Sequence, residues 1–245
     1  MKTLTVIIPT YNEENYITDC LQSVRFANQI IVIDSYSTDN TVANAKKFDC
    51  EIIQRKFDDY SSQKNAAIKL AKCDWILFID ADERITPKSQ LEIVNTINQP
   101  KHKAYKIRLP HFYMNRFLYH SDNRLIRLAE NKSLYFEGLV HEKLIHEGTV
   151  GVLKNSLIHY TYKGLLEYIK KKDSYAWFQA KMATEKNKKA TYFHLIFKPA
   201  YRFFHTYFIR RGFLDGIPGL AVASIDSYGV FSRYVKIILL EKGLK

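Results

Sequence analysis

Two short, wholly apolar runs, residues 30–33 (Ile-Ile-Val-Ile) and 75–79 (Trp-Ile-Leu-Phe-Ile), constrain this chain more than any other feature. A half-exposed strand would alternate apolar and polar residues, and these do not. They suit strands buried on both faces, as in a parallel sheet flanked by helices. Residues 3–8 form a third β-rich run and residues 51–54 a short fourth. Helical patterns over about 13–27, 41–48 and 61–71 lie between them, and this alternation implies βαβ units.

Each of the three main runs ends in a polar turn. Pro9-Thr10-Tyr11-Asn12-Glu13-Glu14 follows the first, Asp34-Ser35-Tyr36-Ser37-Thr38-Asp39 the second, and Asp80-Ala81-Asp82-Glu83 the third. In parallel sheets ligands bind beyond the carboxyl ends of the strands, so these turns can converge on one cleft. Asp80 and Asp82 are the most informative pair. Two carboxylates two residues apart at a buried strand's end are costly unless a cation sits beside them. A divalent ion on a diphosphate meets that need, since Mg²⁺ combines one or two carboxylates with substrate phosphates. The plainer alternative has both acids capping the helix that starts near Pro87. Asn12 likewise reads as a helix N-cap, with Glu13 and Glu14 at the positive end of the dipole.

Beyond residue 100 the pattern changes. Residues 104–109 alternate, with Tyr105, Ile107 and Leu109 on one face, and further β-like pieces follow at 124–128, 134–136 and 150–157. From about Gly164 the chain reads as helical. This gives two parts, an α/β domain over 1–160 and a basic helical extension over 161–245. Of the formal net charge of +12, residues 154–245 hold +11, with 17 Lys and Arg against 6 Asp and Glu. Such a surface favours polyanions, either nucleic acid or an anionic membrane. Phe193, Ile196, Phe197, Ala200, Phe203, Phe204, Tyr207 and Phe208 recur at helical spacing, flanked by Lys198, Arg202, Arg210 and Arg211. They form either a helix face docked on the domain or an interfacial helix on anionic lipid. Pro199 is expected to begin a helix or break one.

The three cysteines, Cys20, Cys50 and Cys73, are odd in number and lack CxxC spacing, which fits buried thiols in a reducing cytosol. Residues 4–8 are too short for a signal h-region, and no run of about 20 uncharged apolar residues is present. The best attempt at a span, residues 192–213, contains Lys198, Arg202, Arg210 and Arg211. His141-Glu142-Lys143-Leu144-Ile145-His146 is not the HExxH of a metalloprotease, because position 145 is Ile.

Taken together, the three turns carry a resemblance. Val6 to Glu13, Ile31 to Thr41, Lys64-Asn65-Ala66, and Asp74 to Glu83 are similar in order and spacing to family 2 glycosyltransferases of the GT-A fold. The later Asp122-Asn123-Arg124-Leu125-Ile126-Arg127, Phe136-Glu137-Gly138-Leu139-Val140-His141-Glu142 and Arg210-Arg211-Gly212-Phe213-Leu214-Asp215-Gly216 resemble the lipopolysaccharide-core glucosyltransferase branch. The resemblance implies an inverting transfer of a sugar, a hexose in that branch, from a nucleoside-diphosphate sugar. UDP is the expected nucleotide, because the branch mostly uses it. Pro9, Tyr11 and Glu13 would line the nucleoside site, Asp34 would face the base, and Lys64 would lie near the donor. Asp80 would sit by the ribose or sugar, and Asp82 would ligate Mg²⁺ or Mn²⁺. Ser35 and Tyr36 stand where many members have Asp and Gly, so nucleoside contacts differ there.

Within this frame Glu142 is the expected general base, with Glu137 and Asp122 as rivals, and His141 a metal or phosphate contact. Structural roles for Glu142 and His141 are equally open. The expected acceptor is a lipid-linked saccharide such as lipopolysaccharide core. The expected place is cytoplasmic, peripheral on the inner face of the plasma membrane at an anionic surface. Transfer to a polyprenyl phosphate is the rival within the enzyme class. A basic nucleic-acid-binding module is the rival outside it, although acidic turns at three strand ends would repel phosphates unless a metal intervened.

Overall fold

A computed structural model describes residues 1–138, 142–160 and 164–244, without the side chains of residues 119 and 121–123. The chain begins β1 (Leu4–Thr10), α1 (Ile17–Ser23), β2 (Gln29–Asp34), α2 (Thr41–Ala45), β3 (Glu51–Gln54), α3 (Tyr60–Ile68) and β4 (Trp75–Phe78). β3, β2, β1 and β4 lie side by side, all parallel. The registers bring the strand ends level: Thr10 of β1 pairs with Asp34 of β2, and Asp34 with Gln54 of β3.

The apolar runs are buried on both faces, as their lack of alternation predicts. Val6, Ile8, Val32, Leu77 and Ile79 pack on one side with Ile17, Cys20 and Leu21 of α1. Ile7, Ile31, Ile33, Ile76 and Phe78 pack on the other with Ala67 of α3. Most are entirely excluded from water, so each aliphatic side chain contributes about 2 kcal/mol of transfer free energy.

After β4 come β5 (Glu83–Arg84), α4 (Pro87–Asn98), β6 (Ala104–Tyr113), β7 (Arg116–Glu130), β8 (Tyr135–Glu137), β9 (Lys143–Ile145), β10 (Val150–Ser156) and β11 (Ile158–His159). β7 joins the sheet antiparallel to β4, and β8 and β9 form a separate antiparallel ribbon. Residues 143–145 are therefore strand, consistent with refusing the HExxH reading.

Three local expectations are corrected. Asn12 does not cap α1: it adopts a left-handed φ of 54°, and its Oδ1 accepts from the Thr38 amide at 2.8 Å. Residues 12–14 are drawn into hydrogen bonds with the neighbouring turn, and α1 starts four residues later than its pattern suggests. Asp80 and Asp82 do not cap the next helix either. Thr86 is the cap of α4, accepting from the Ser89 amide at 3.1 Å, with Pro87 at the first helical position. Pro199 neither begins nor ends a helix but lies inside α6, as described next.

The chain divides into two compact units, residues Met1–Leu109 with Asn123–His159, and residues Pro110–Asp122 with Tyr160–Lys245. The second contains α5 (Leu165–Glu185), α6 (Tyr192–Phe204), a π turn (His205–Ile209), a 3-10 turn (Gly212–Asp215) and α7 (Gly216–Glu241). Tyr168 of α5 and Val222 and Ile225 of α7 pack with Tyr113 and Leu118. Pro199 is buried within α6, and its carbonyl accepts from Ser227 Oγ of α7 at 2.8 Å, which anchors the helix where the proline withholds an amide. Backbones touch where the 3-10 turn meets α7: a Cβ at Gly219 would fall 1.9 Å from the Gly212 carbonyl oxygen. No described helix is long and apolar enough to cross a membrane.

Asp226 ties the three long helices together. Its carboxylate meets Lys172 Nζ of α5 and Arg202 Nη2 of α6 at 2.5 and 2.8 Å, and Tyr168 donates to it at 3.0 Å. Burial pushes its carboxyl up, but Lys172 and Arg202 hold it below the usual carboxylate range. A depressed folded pKa contributes stability that is present above the unfolded value of 3.8 and lost as pH falls through the folded one. Asp226→Asn should therefore cost about 2 kcal/mol at neutral pH. That deficit should shrink as pH drops below 3.8, as followed by urea unfolding.

Candidate active site

The site is built at the carboxyl edge of β1, β2 and β4. The turns after β1 and β2 are bonded to each other. The amides of Asn12, Glu13 and Glu14 donate to Ser37 Oγ, Thr41 Oγ1 and Asp39 Oδ2 at 2.8, 2.7 and 3.1 Å. The Glu14 carboxylate accepts in return from the Asn40 amide. These bonds consume polar groups that a simple helix start would leave to water, and they fix residues 12–14 against residues 37–41.

Asp34 is fully buried and accepts from the Ser37 amide and hydroxyl and from Gln54 Nε2. An ionised carboxylate has about four acceptor positions, so about one remains for a further donor. Tyr11 and Tyr36 stand exposed at the same edge, Tyr36 with a left-handed φ of 61°.

The turn after β4 holds the charged centre. Arg127, buried on β7, donates from Nη2 to Asp80 Oδ2 at 2.7 Å and to Glu83 Oε1 at 2.6 Å. Glu83, wholly buried, accepts with its other oxygen from the Asp80 amide at 3.0 Å. Burial pushes Asp80 up, but Arg127, Lys64 and His159 outweigh it and hold its carboxyl far below the usual range. Burial, helped by Asp80 and Asp82, pushes Glu83 up to about 7. The turn thus has one fixed anion at Asp80, while Glu83 serves to hold Arg127 and the turn's backbone.

Asp82 points elsewhere. Its Oδ1 lies 3.6 Å from His159 Nε2 of β11, and both side chains are 16% exposed. Burial lowers the affinity of His159 for its proton, but Asp82, Glu83 and Asp80 together raise its pKa.

α3 connects this centre to residues 136–138 and to Glu142. Lys64 Nζ meets Glu142 Oε1 at 2.7 Å and lies over the Phe136 ring at 4.8 Å. Asn65 exchanges both of its amide bonds with the Phe136 backbone, at 2.7 and 2.9 Å, and Ser61 Oγ donates to the Gly138 carbonyl. The paired Lys64-Asn65 therefore acts as a clasp. One residue binds the charge of Glu142 and the other the Phe136 backbone. Of the expected site residues, Asp80 and Lys64 share one electrostatic cluster, Glu142 joins it through Lys64, and Asp82 adjoins it through His159. His141 lies outside the described residues, as does the Asp122 side chain.

Arg127, Glu83 and His159 were missed as site residues. Arg127 had a legible signal, an arginine inside the apolar run Leu125-Ile126-Arg127-Leu128, where a buried cation needs buried acids. Nothing near His159 in sequence marks it, because its partner lies 77 positions away in the chain. Among the described residues no group of three or more His, Cys, Asp or Glu is arranged to hold a metal alone. Asp82 still fits an ion that takes one protein carboxylate and fills its other positions from phosphates and water.

An α/β domain with acidic turns gathered at the carboxyl edge of its parallel strands is the architecture of GT-A glycosyltransferases. The chain belongs to glycosyl transferase family 2, whose model matches residues 5–161. An uncharacterized glycosyltransferase of Rickettsia conorii is 30% identical, covering 99% of this chain and 91% of that protein. The lipopolysaccharide core biosynthesis glycosyltransferase LpsC of Rhizobium meliloti is 27% identical, covering 94% and 93%. Among solved structures, S. aureus TarS 1–349 in complex with UDP-GlcNAc shares the fold at a TM-score of 0.53 and 15% identity, covering 99% of this chain and 92% of that one.

Proposed function

We propose that this glycosyltransferase moves a hexose, with inversion, from a nucleoside-diphosphate sugar to a saccharide carried on a lipid, such as lipopolysaccharide core. The observation that carries the reading is the cluster in which Lys64, paired with the Glu142 carboxylate at 2.7 Å, also helps hold the Asp80 carboxyl below its usual range. The similarity to LpsC over nearly the whole chain supports the acceptor class.

In this reading Pro9, Tyr11 and Glu13 line the nucleoside, and the remaining acceptor position of Asp34 takes a base N–H. Asp80, held in place by Arg127, faces the ribose or sugar. Asp82 would hold Mg²⁺ or Mn²⁺, with His141 proposed beside it from the sequence alone. When bound, that ion would neutralise charge on the diphosphate. Glu142, held by Lys64, takes the proton of the acceptor hydroxyl as that oxygen attacks the anomeric carbon. Lys64 can then turn toward the leaving diphosphate, whose charge grows as Glu142 loses its own.

Calorimetric titration with UDP, GDP and dTDP, each with and without Mn²⁺, tests the donor half. Binding of one nucleotide, strengthened by the metal, is expected. If folded protein binds none of them, the donor site is wrongly assigned. Glu142→Gln tests the base. It should leave nucleotide binding intact and lower kcat by about 10²–10⁴-fold with a hydroxyl acceptor. Undiminished turnover would shift the base to Glu137 or Asp122, or mark the acceptor as a phosphate such as polyprenyl phosphate, which needs no base.

A further inference from the structure

None of the proposed chemistry uses residues 192–220, yet α6 is folded with its apolar face outward. Toward α7 it turns Pro199, Arg202, which pairs with Asp226, and His194, whose ring lies 4.9 Å from that of Tyr234. On the opposite side Phe193, Ile196, Phe197, Tyr201 and Phe204 are each between 52% and 65% exposed. A helix whose final environment is water on one face and protein on the other arranges these the other way round. The exposed row continues past α6. The π turn presents Phe208 and Ile209, and the next turns present Phe213, Leu214 and Ile217, the last 73% exposed. Scattered apolar residues need no explanation, but a continuous ridge marks a surface that something covers.

Charge identifies what covers it. Residues 186–224 hold seven Lys and Arg and a single acid, Asp215, which is buried against His120. Lys198 and Arg211 are exposed beside the aromatic side chains. A second copy of this chain would bring those cations face to face across a two-fold axis, so a self-complementary contact is disfavoured. An anionic bilayer offers hydrocarbon for the rings and phosphates for the cations.

We propose that the ridge formed by α6, the π turn, the 3-10 turn and the start of α7 inserts into the headgroup region of an anionic membrane. This deepens the lipid-borne acceptor reading given above and rests on it only for the purpose such anchoring serves.

The test is flotation of the full chain with vesicles of equal parts phosphatidylcholine and phosphatidylglycerol, against phosphatidylcholine alone. The wild type should float with the anionic vesicles and far less with the neutral ones. The triple variant Phe193→Ser, Phe197→Ser, Phe204→Ser should lose about 100-fold in partitioning. Lys198→Gln with Arg211→Asn should lose about 5-fold per charge removed. Retained flotation in the triple variant, or no flotation of the wild type, overturns the proposal. Sedimentation then shows whether the ridge is a contact between copies, as a dimer that the triple variant dissociates would demonstrate. UDP titration of each variant keeps the two readings apart. Unchanged nucleotide binding with lost flotation supports the ridge, whereas absent nucleotide binding in the wild type condemns the donor site alone.

Discussion

Asp82→Ala is expected to lower kcat by at least about 100-fold while the protein stays folded, the scale seen when a group that stabilises developing charge is removed. The expectation follows from where the carboxylate stands. Asp80 is held by Arg127 through Oδ2 at 2.7 Å, and the wholly buried Glu83 is committed to Arg127 and the Asp80 amide. Asp82 is paired with His159 at 3.6 Å, and it is the acid proposed above to engage a metal diphosphate. The measurement is steady-state turnover with UDP-sugar and Mn²⁺, paired with calorimetry. Mn²⁺ should strengthen UDP binding to the wild type and do nothing for the variant. Near-wild-type turnover by a folded Asp82→Ala protein would remove the metal assignment and leave the turn a structural feature.

Arg127→Met should produce the largest loss of stability. It takes away the cation that two carboxylates share, one of them wholly buried. Breaking a buried pair by deleting one partner costs about 3–5 kcal/mol, because the acid left behind must take up a proton or stay charged away from water. For a chain of this length that is a fall in Tm of about 10 °C. A second substitution distinguishes this cause from a simple loss of packing. The loss should deepen as pH rises above about 7, where Glu83 beside Arg127 would otherwise ionise, and adding Glu83→Gln should abolish that deepening, whereas a packing defect would not respond to pH. Catalysis should fail in both variants, since Asp80 loses the bond that orients it.

Much of the first 100 residues was legible because the signals there are local. Unalternated apolar runs bounded by polar turns mean strands buried on both faces, and the burial of Ile31, Ile33, Ile76 and Phe78 on one side and Val32 and Leu77 on the other bears this out. The caps were less legible. Asn12 has the right residue type for a helix N-cap, but the competing partner, the Thr38 amide, is 26 positions distant. A cap pattern cannot show that a tertiary hydrogen bond wins over the helix it would begin. Pro199 fails for a related reason, since its tolerance inside α6 depends on Ser227 and on burial against α7.

The sequence alone determined the α/β class, the family, the three acidic turns and the basic, aromatic character of the last third. The family is carried by the resemblance of the motifs in the first 100 residues, and the rest by composition and by spacing over a few residues. Only the tertiary structure decided which partner each acid meets. That depends on where Arg127, Lys64 and His159 arrive from β7, α3 and β11, and the electrostatic cost of burial forces each charge to find its partner at whatever distance along the chain. The same holds for α6. Its pattern allowed the aromatic face to dock or to stay exposed, and what chose between them was the demand of Asp226 on α7 for Arg202, which turned the polar side inward and the rings outward.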